Sequence, residues 1–443
     1  MNRFEPTDDG VGDIAFVAGP RRRPARSSVV RHRILLFALL LPCAAAAGER
    51  ALSLEEAVEQ ALREAPQIAA GSAAVDAAQL QAVSAGRLPD PALVVGIDNL
   101  PVGGADAYSL TRDFMTMRKV GVMQEFPNRQ KRRLQRERAA IGIEEAAAEL
   151  VRTRLDVARL AAEAWVRRWA RESALARLRA LEPEVALQAV AARAALSSGR
   201  ASTAEALAAE AAVAQLANRI LAMQSEAQRA ALELARWIGD AAFAPLAEAP
   251  AFDRLPVSEE ILLAAPHEHG ALLPFGPRIA GARMEVELAR AARRPDWSVE
   301  LAYAERGPRF SDMVALQFRI ELPLFARARQ NPLIAARRAE LERLEAERES
   351  QLRTHTTELR QVLIEWRLLG ERLEQYERNL LPLARERSQA ALAAYRAGRG
   401  DLRLVIEAFT QETDLLIELA ALHEERGRAW AFLRYLTPHR VQP

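Results

Sequence analysis

Four methionines are the side chains of this sequence best suited to contact a metal ion. They lie in or beside segments in which apolar and polar residues alternate, and all share the parity of the polar residues: Met115, Met117, Met123 and Met313. Thioether sulfur is a soft ligand that suits Cu(I). Methionine is also a common filler of gaps between packed side chains. The pattern therefore leaves open both a weak metal contact and a plain packing role.

No set of residues has the spacing of a catalytic site. The histidines are scattered, no glycine-rich phosphate loop occurs, and no nucleophile motif is present. His267 and His269 form a His-x-His in a predicted loop, where we expect a solvated stretch rather than a metal site. The sequence predicts a protein that is not an enzyme and has no cofactor.

Charge and composition narrow the class of protein further. The 61 basic and 59 acidic residues leave a formal net charge of +2, which gives no basis for a nucleic-acid partner. The chain is 50% hydrophobic but only 5% aromatic, and it is rich in Ala, Leu, Glu and Arg. This bias predicts long helices packed as coiled coils.

Residues 1–47 are typical of a secretory signal peptide with a basic leader. Arginines precede the apolar run Ile34–Leu41, and Ala45–Ala47 offers a small-residue cleavage site. Cys43, the only cysteine, ends the run. It is either lipidated or removed with the leader, and the preceding Pro42 fits a lipoprotein cleavage motif poorly.

Four segments predict β-strands with one apolar and one polar face, because apolar and polar residues alternate in them. Their predicted bounds are 92–98, 116–126, 297–304 and 312–322. At roughly ten residues, such strands cross a bilayer when tilted. The charged members of the polar face would line a pore and set its ion preference: Lys119, Glu125, Glu300, Arg319 and Glu321. A soluble sheet packed on helices is the alternative.

The order of elements occurs twice, in repeats 48–250 and 251–443. Each repeat reads helix, strand, strand, long helix, turn and return helix. The long helices are predicted at 128–196 and 332–396, and the return helices at 203–237 and 401–436. The Pro183 to Pro382 and Gly199 to Gly398 spacings are equal, so the repeats stay in register. A helix of this length spans roughly 100 Å, which predicts a long antiparallel helical bundle with four strands at one end.

Glycine turns join each long helix to its return helix. Gly199 and Gly398 permit a left-handed backbone at the end of a helix. Ser202 with Glu205 forms a capping box, and Asp401 is a suitable N-cap for the last helix.

Four strands cannot close a barrel, and lipid does not tolerate open strand edges. If the strands span a membrane, several chains must contribute them. Three copies would supply twelve strands, an even number within the range of known barrels.

The duplicated order, with proline and glycine landmarks in register, resembles the TolC-like outer-membrane efflux channel family over about Ala51 to Leu436. The stretches "LPDPALVVGIDNLP" and "DFMTMRKVGVMQEFPNRQKRR" are similar to the branch that serves heavy-metal pumps of the resistance-nodulation-division type. Two features depart from the family pattern. "NRQKRR" replaces the usual Gly-Lys-Arg run, and "PHEHGALLPFGP" interrupts the first helix of the second repeat.

The resemblance implies a homotrimer in the outer membrane of a Gram-negative bacterium, with a twelve-stranded barrel in outer-membrane lipid and a periplasmic helical tunnel. It implies a passive exit duct for copper and silver or for zinc, cobalt and cadmium. The partners would be a periplasmic adaptor (membrane-fusion) protein and an inner-membrane resistance-nodulation-division pump. The turns would dock onto the adaptor through Gly199, Arg200, Ser202, Gly398, Arg399 and Asp401. A duct for drugs or secreted proteins, and a periplasmic or cytosolic coiled-coil scaffold, are the alternatives.

Overall fold

The computed structural model describes residues 51–255 and 257–438 of the 443-residue chain. The predicted signal peptide and the predicted lipidation of Cys43 lie outside the described residues. The α-helices of the described part are α1 (Leu54–Glu64), α2 (Pro66–Ser84), α3 (Arg129–Ser197), α4 (Thr203–Ile238), α5 (Glu259–Ala264), α6 (Phe275–Ala291), α7 (Gln330–Gln375), α8 (Leu381–Arg396) and α9 (Leu402–Arg434). The strands are β1 (Ala92–Asp98), β2 (Met117–Phe126), β3 (Trp297–Glu305) and β4 (Met313–Ile320).

Helix α3 carries the chain from the sheet to the first turn without interruption. Its 69 residues correspond to roughly 100 Å at 1.5 Å per residue. The side chain of Asn128 caps its first turn by accepting a hydrogen bond from Gln130 N at 2.8 Å, and the helix continues through Pro183. None of the helices in residues 51–255 and 257–438 is long and apolar enough to cross a membrane.

The helical segment predicted at 332–396 is divided in the structure. Helix α7 ends at Gln375, a π-helical turn covers Tyr376–Leu380, and α8 begins at Leu381. Pro382 lacks a backbone N–H, and its ring would clash with the carbonyl group four residues earlier in a regular α-helix. The wider π turn lies directly before this proline. Pro183 has no such turn before it, so the two prolines occupy equivalent sequence positions in different local structures.

The four strands form one antiparallel sheet in the order β1-β2-β3-β4. The register pairs Val95 with Val120, Val122 with Leu301, and Leu301 with Leu316. Because side chains alternate between the two sides of a strand, this register places the apolar residues of all four strands on one face. We call it the apolar face. It also carries the Arg118–Glu305 ion pair at the end away from the helices, and its most exposed apolar members are Leu93, Val95, Ile97, Val120, Val122, Leu301, Tyr303, Val314, Leu316, Phe318 and Ile320.

The core lies among the helices, where tryptophans and an arginine hold the connecting segments. Trp165, Trp366 and Trp430 each donate the indole N–H to a backbone carbonyl, those of Leu52, Phe252 and Arg254 respectively, at 3.0–3.1 Å. The buried Arg168 donates to the carbonyls of Ala242 and Ala244 and to Glu172. Buried backbone carbonyls need such partners. These bonds therefore fix the segments before α1 and after α4 against the long helices.

Candidate functional site

The polar face of the sheet gathers the charged residues that the sequence predicted as pore-lining. Lys119 Nζ lies 3.1 Å from Glu300 Oε1 and 3.6 Å from Asp98 Oδ2. Glu300 is largely buried beneath this lysine. The interaction joins β1, β2 and β3 across the same face. Asp98 was not among the residues predicted to line the pore, although its position in the alternating pattern of β1 places it on the polar face.

The other predicted pore residues lie at the helical end of this face. Glu125 pairs in register with Ser298, and Ser298 pairs with Arg319. Arg319 Nη1 is 4.0 Å from the sulfur of Met123. Glu321 follows β4, and its backbone N–H donates to Asp296 O at 2.9 Å. The face therefore presents both signs of charge, with acidic and basic groups in neighbouring positions.

The four methionines do not share one row of the sheet. Met123 lies beside Glu300, Met117 beside Asp98, and Met313 beside Ala304 in the row of Lys119. At about 3.3 Å per residue, the rows of Met123 and Met313 are roughly 13 Å apart. Met115 precedes β2, and its backbone N–H donates to Asp113 Oδ1 at 2.7 Å. Their contact with a metal ion stays a prediction.

The two helix-to-helix turns have the same backbone design. Gly199 and Gly398 both have φ of 70°, a left-handed conformation that favours glycine. The next residue, Arg200 or Arg399, donates its backbone N–H to the carbonyl five residues earlier, at 2.8 and 3.0 Å. All six residues predicted to dock are exposed in these turns.

The return helices then start with the caps that the sequence indicated. Ser202 Oγ accepts from Glu205 N at 3.2 Å, and Glu205 Oε2 accepts from Ser202 N at 2.6 Å. Asp401 Oδ1 accepts from Arg403 N at 2.8 Å. The two hairpins share one apolar cluster that includes Ala192 and Leu392. Both turns therefore lie at the same end of the helical bundle, which we call the tip.

The expectation of a solvated loop at His267 and His269 was wrong for one of the two residues. His267 is exposed, but His269 is 1% and His355 of α7 is 3% exposed. Nδ1 of His269 lies 2.8 Å from Nε2 of His355, so one imidazole donates its N–H to the other. The two residues are 86 positions apart, and nothing in the local sequence signals their contact.

Both buried histidines favour the neutral form. Burial, together with the smaller effects of the charges of His355 and His267, lowers the pKa of His269 to about 4. Burial also lowers the pKa of His355, against the opposing effect of Glu358. The ionisable groups around the cleft of about 200 Å³ beside the pair are Arg152, Asp156, Arg159, Glu358 and Tyr435. Within the described residues, no group of three or more His, Cys, Asp or Glu side chains is arranged to hold a metal ion.

Several proteins of known structure superpose on this chain. No protein-family model matches the sequence, and no curated protein matches it. A membrane protein from Pseudomonas aeruginosa superposes with a TM-score of 0.75 at 16% identity, covering 87% of this chain and 90% of that one. The outer membrane protein VceC of Vibrio cholerae gives 0.71 at 20% identity, covering 87% and 96%. CusC, described as forming a transmembrane channel, gives 0.71 at 14% identity, covering 87% and 92%.

The chain has the fold of an outer-membrane channel protein. The superposition covers most of the length of each of these proteins. The prediction of a mainly helical chain with a small sheet, of the TolC-like kind, is confirmed at the level of the fold.

We expect the His269–His355 pair to make folding stability depend on pH. The unfolded chain binds a proton at each histidine near pH 6.5, whereas folded His269 binds one only near pH 4. The neutral form of His269 therefore contributes fully to the free energy of unfolding above pH 6.5. This contribution decreases as the pH falls from 6.5 towards 4, and no further loss occurs below pH 4. For His269 the loss is at most about 3 kcal/mol. The thermal unfolding midpoint between pH 7 and pH 4.5 measures it.

The double variant H269Q/H355Q should lose most of this pH dependence, although its stability at pH 7 will also be lower. The matched control is H267Q, which changes an exposed histidine two residues away. Because the charge of His267 makes only the smallest contribution to the lowered pKa of His269, this variant should keep most of the wild-type pH dependence. A double variant with the wild-type slope between pH 7 and pH 5 would assign the dependence to other groups.

Proposed function

We propose that this chain is one subunit of a trimeric outer-membrane channel that serves as the passive exit duct of a tripartite efflux system. The observation that carries the proposal is the apolar face of the sheet. Eleven of its apolar residues are between 50% and 71% exposed. A soluble protein rarely exposes so large a continuous apolar surface without a partner, and the hydrocarbon of a membrane is the partner that fits alternating strands.

The edges of the sheet favour assembly with further copies. Within the described residues β1 and β4 each pair on one side only, with β2 and β3 respectively. Their free N–H and C=O groups would be very costly in lipid. Strand β4 runs antiparallel to β1, so β4 of one copy can pair with β1 of the next. Three copies then give a closed barrel of twelve strands.

The polar face supports a water-filled interior. Closure with the apolar residues outward turns Lys119, Glu300 and Asp98 towards the lumen, together with Glu125 and Arg319. Mixed charges on such a wall offer weak contacts to ions of either sign. This suits a duct through which cargo moves under the control of an energised partner.

The helical end supports docking onto that partner. We propose that the tip contacts a periplasmic adaptor, which links the channel to an inner-membrane pump of the resistance-nodulation-division type. Arg200 and Arg399 occupy equivalent positions in the two turns and are exposed, so they can meet acidic groups of an adaptor. The localisation that follows is the outer membrane, with the helices in the periplasm.

We propose heavy-metal cations as the cargo, copper and silver or zinc, cobalt and cadmium. The support is the sequence resemblance around β1 and β2, together with Met123 and Met313 on the polar face. A duct of the same build for drugs or proteins is the second candidate, since the superposed channels share the fold whatever they carry.

Cysteine cross-linking tests the barrel. In a closed ring, a cysteine at Leu316 in β4 of one copy approaches β1 of the next, so L316C combined with L93C, V95C or I97C should give disulfide-linked trimers in membranes for at least one combination. The single variants should give monomers on the same denaturing gel. Recovery of the wild-type chain without detergent, and no linked trimer for any combination, would favour a soluble coiled-coil scaffold instead.

Charge reversal tests the tip. We expect R200E/R399E to reduce cross-linking to the adaptor by at least about tenfold, because like charges then face each other. The control is R353E/R360E, which reverses two exposed arginines of α7. Both variants should still form trimers. Undiminished adaptor cross-linking by R200E/R399E would exclude the proposed docking role.

Growth assays test the cargo. Deletion of the gene should sensitise cells to one of the two metal groups and leave drug tolerance unchanged, and the wild-type chain should restore growth. If methionine sulfur contacts the cargo, M123L/M313L should restore tolerance to zinc but less tolerance to copper or silver, because only the latter are soft ions. Sensitivity to drugs alone would support the second candidate.

A further inference from the structure

We propose that six arginines at the helical end of the sheet bind the phosphate groups of anionic phospholipids in the membrane leaflet on that side. We call them the arginine collar: Arg87, Arg129, Arg293, Arg294, Arg327 and Arg329. This inference rests on the proposed membrane-spanning sheet and adds a chemically specific lipid to it.

The antiparallel order brings the six residues to one end of the sheet. β1 and β3 begin at the helical end of the sheet, and β2 and β4 end there. Each of these four junctions contributes to the collar: Arg87 precedes β1, Arg129 follows β2, Arg293 and Arg294 precede β3, and Arg327 and Arg329 follow β4. All six are exposed.

The collar lacks acidic partners within the chain. Asp296, the acidic residue nearest to Arg294, accepts from Asn128 N at 2.8 Å and pairs with Lys131. Arg293 donates to the amide oxygen of Asn331. Within residues 51–255 and 257–438, none of the six arginines forms an ion pair with a carboxylate. A guanidinium group presents a planar set of donors that matches phosphate geometry, and no carboxylate of the described residues competes with a phosphate for these six groups.

The two ends of the sheet differ in charge. The four segments at the helical end, 87–91, 127–137, 292–296 and 321–331, contain ten basic and four acidic residues. The two loops at the opposite end, 99–116 and 306–312, contain three of each. A strand pair needs no such asymmetry to fold. An anionic surface at one level of the sheet accounts for it.

The collar also lies where a headgroup layer should begin. The apolar stripe of β4 continues beyond the strand through Leu322, Leu324 and Phe325, which are at least 64% exposed. At the same level the rings of Phe126 and Trp297 stack at 4.2 Å. Aromatic side chains mark the boundary between hydrocarbon and headgroups in membrane barrels. The collar follows this boundary, so its long side chains can reach the phosphates.

A neighbouring copy of the chain is a poorer partner for the collar than lipid. In a symmetric ring the three collars lie at the same level, and each would face the positive charge of the next. Anions between them would relieve this repulsion. Phosphates of lipids around the barrel have the right charge and the right depth.

Lipid retention tests the collar. The purified channel in neutral detergent is mixed with equal amounts of phosphatidylglycerol and phosphatidylcholine, and bound lipids are counted by native mass spectrometry. We expect the wild type to retain phosphatidylglycerol over phosphatidylcholine by about fivefold or more. The variant R293Q/R294Q/R327Q/R329Q should retain both equally, and replacement of the same four residues by lysine should keep most of the preference.

The matched control R229Q/R348Q/R360Q/R428Q removes the same charge from exposed helical positions and should behave as the wild type. A wild-type trimer that retains both lipids equally would overturn the collar while leaving the channel proposal intact. Recovery of the chain without detergent would instead overturn the channel proposal. If the glutamine variant dissociates into monomers while its phosphatidylglycerol preference persists, the arginines serve contacts between copies and the lipid proposal is wrong.

Discussion

The backbone N–H and C=O groups at the two edges of the sheet need hydrogen-bond partners, and the rest of the structure depends on how this need is met. A four-stranded sheet leaves β1 and β4 each paired on one side only, and its apolar face is mostly uncovered. Either feature alone could belong to a soluble protein, because water satisfies a free edge and helices can cover an apolar face. Together they describe a surface that is suited to lipid only when the edges are closed by other copies. The ring of three copies proposed above would meet both requirements.

The helices give the chain its length. Helix α3 runs unbroken from the sheet to the tip. The corresponding helical segment of the second repeat, α7 and α8, contains a π turn just before Pro382. Halfway along, the indole N–H groups of Trp165, Trp366 and Trp430 bind the carbonyls of connecting segments. These bonds lie far from both ends, so the sheet and the tip can meet different partners without sharing side chains.

The pairing of charged side chains differs between the polar face of the sheet, the helical end of the sheet and the interior of the helical bundle. On the polar face, Lys119 lies between Glu300 and Asp98, which keeps the wall close to neutral. At the helical end of the sheet, the exposed arginines lack acidic partners within the described residues. Among the helices, buried charges such as Glu424 are paired, here with Arg167 and Arg171 at 3.1 and 2.9 Å. The contrast separates charges that are paired within the described residues from exposed charges that have no acidic partner there.

The sequence by itself determined the local structure. Alternation from Val314 to Ile320 required a two-faced strand, Ser202 with Glu205 required a helix start, and Gly199 and Gly398 required left-handed turns, because each depends on neighbours within a few residues. Tertiary structure decided what depends on distant contacts. It buried His269 against His355, brought Asp98 to Lys119, distributed the methionines over different rows, and left the collar arginines unpaired. Pairing, burial and register arise between segments up to two hundred residues apart, and no local pattern encodes them.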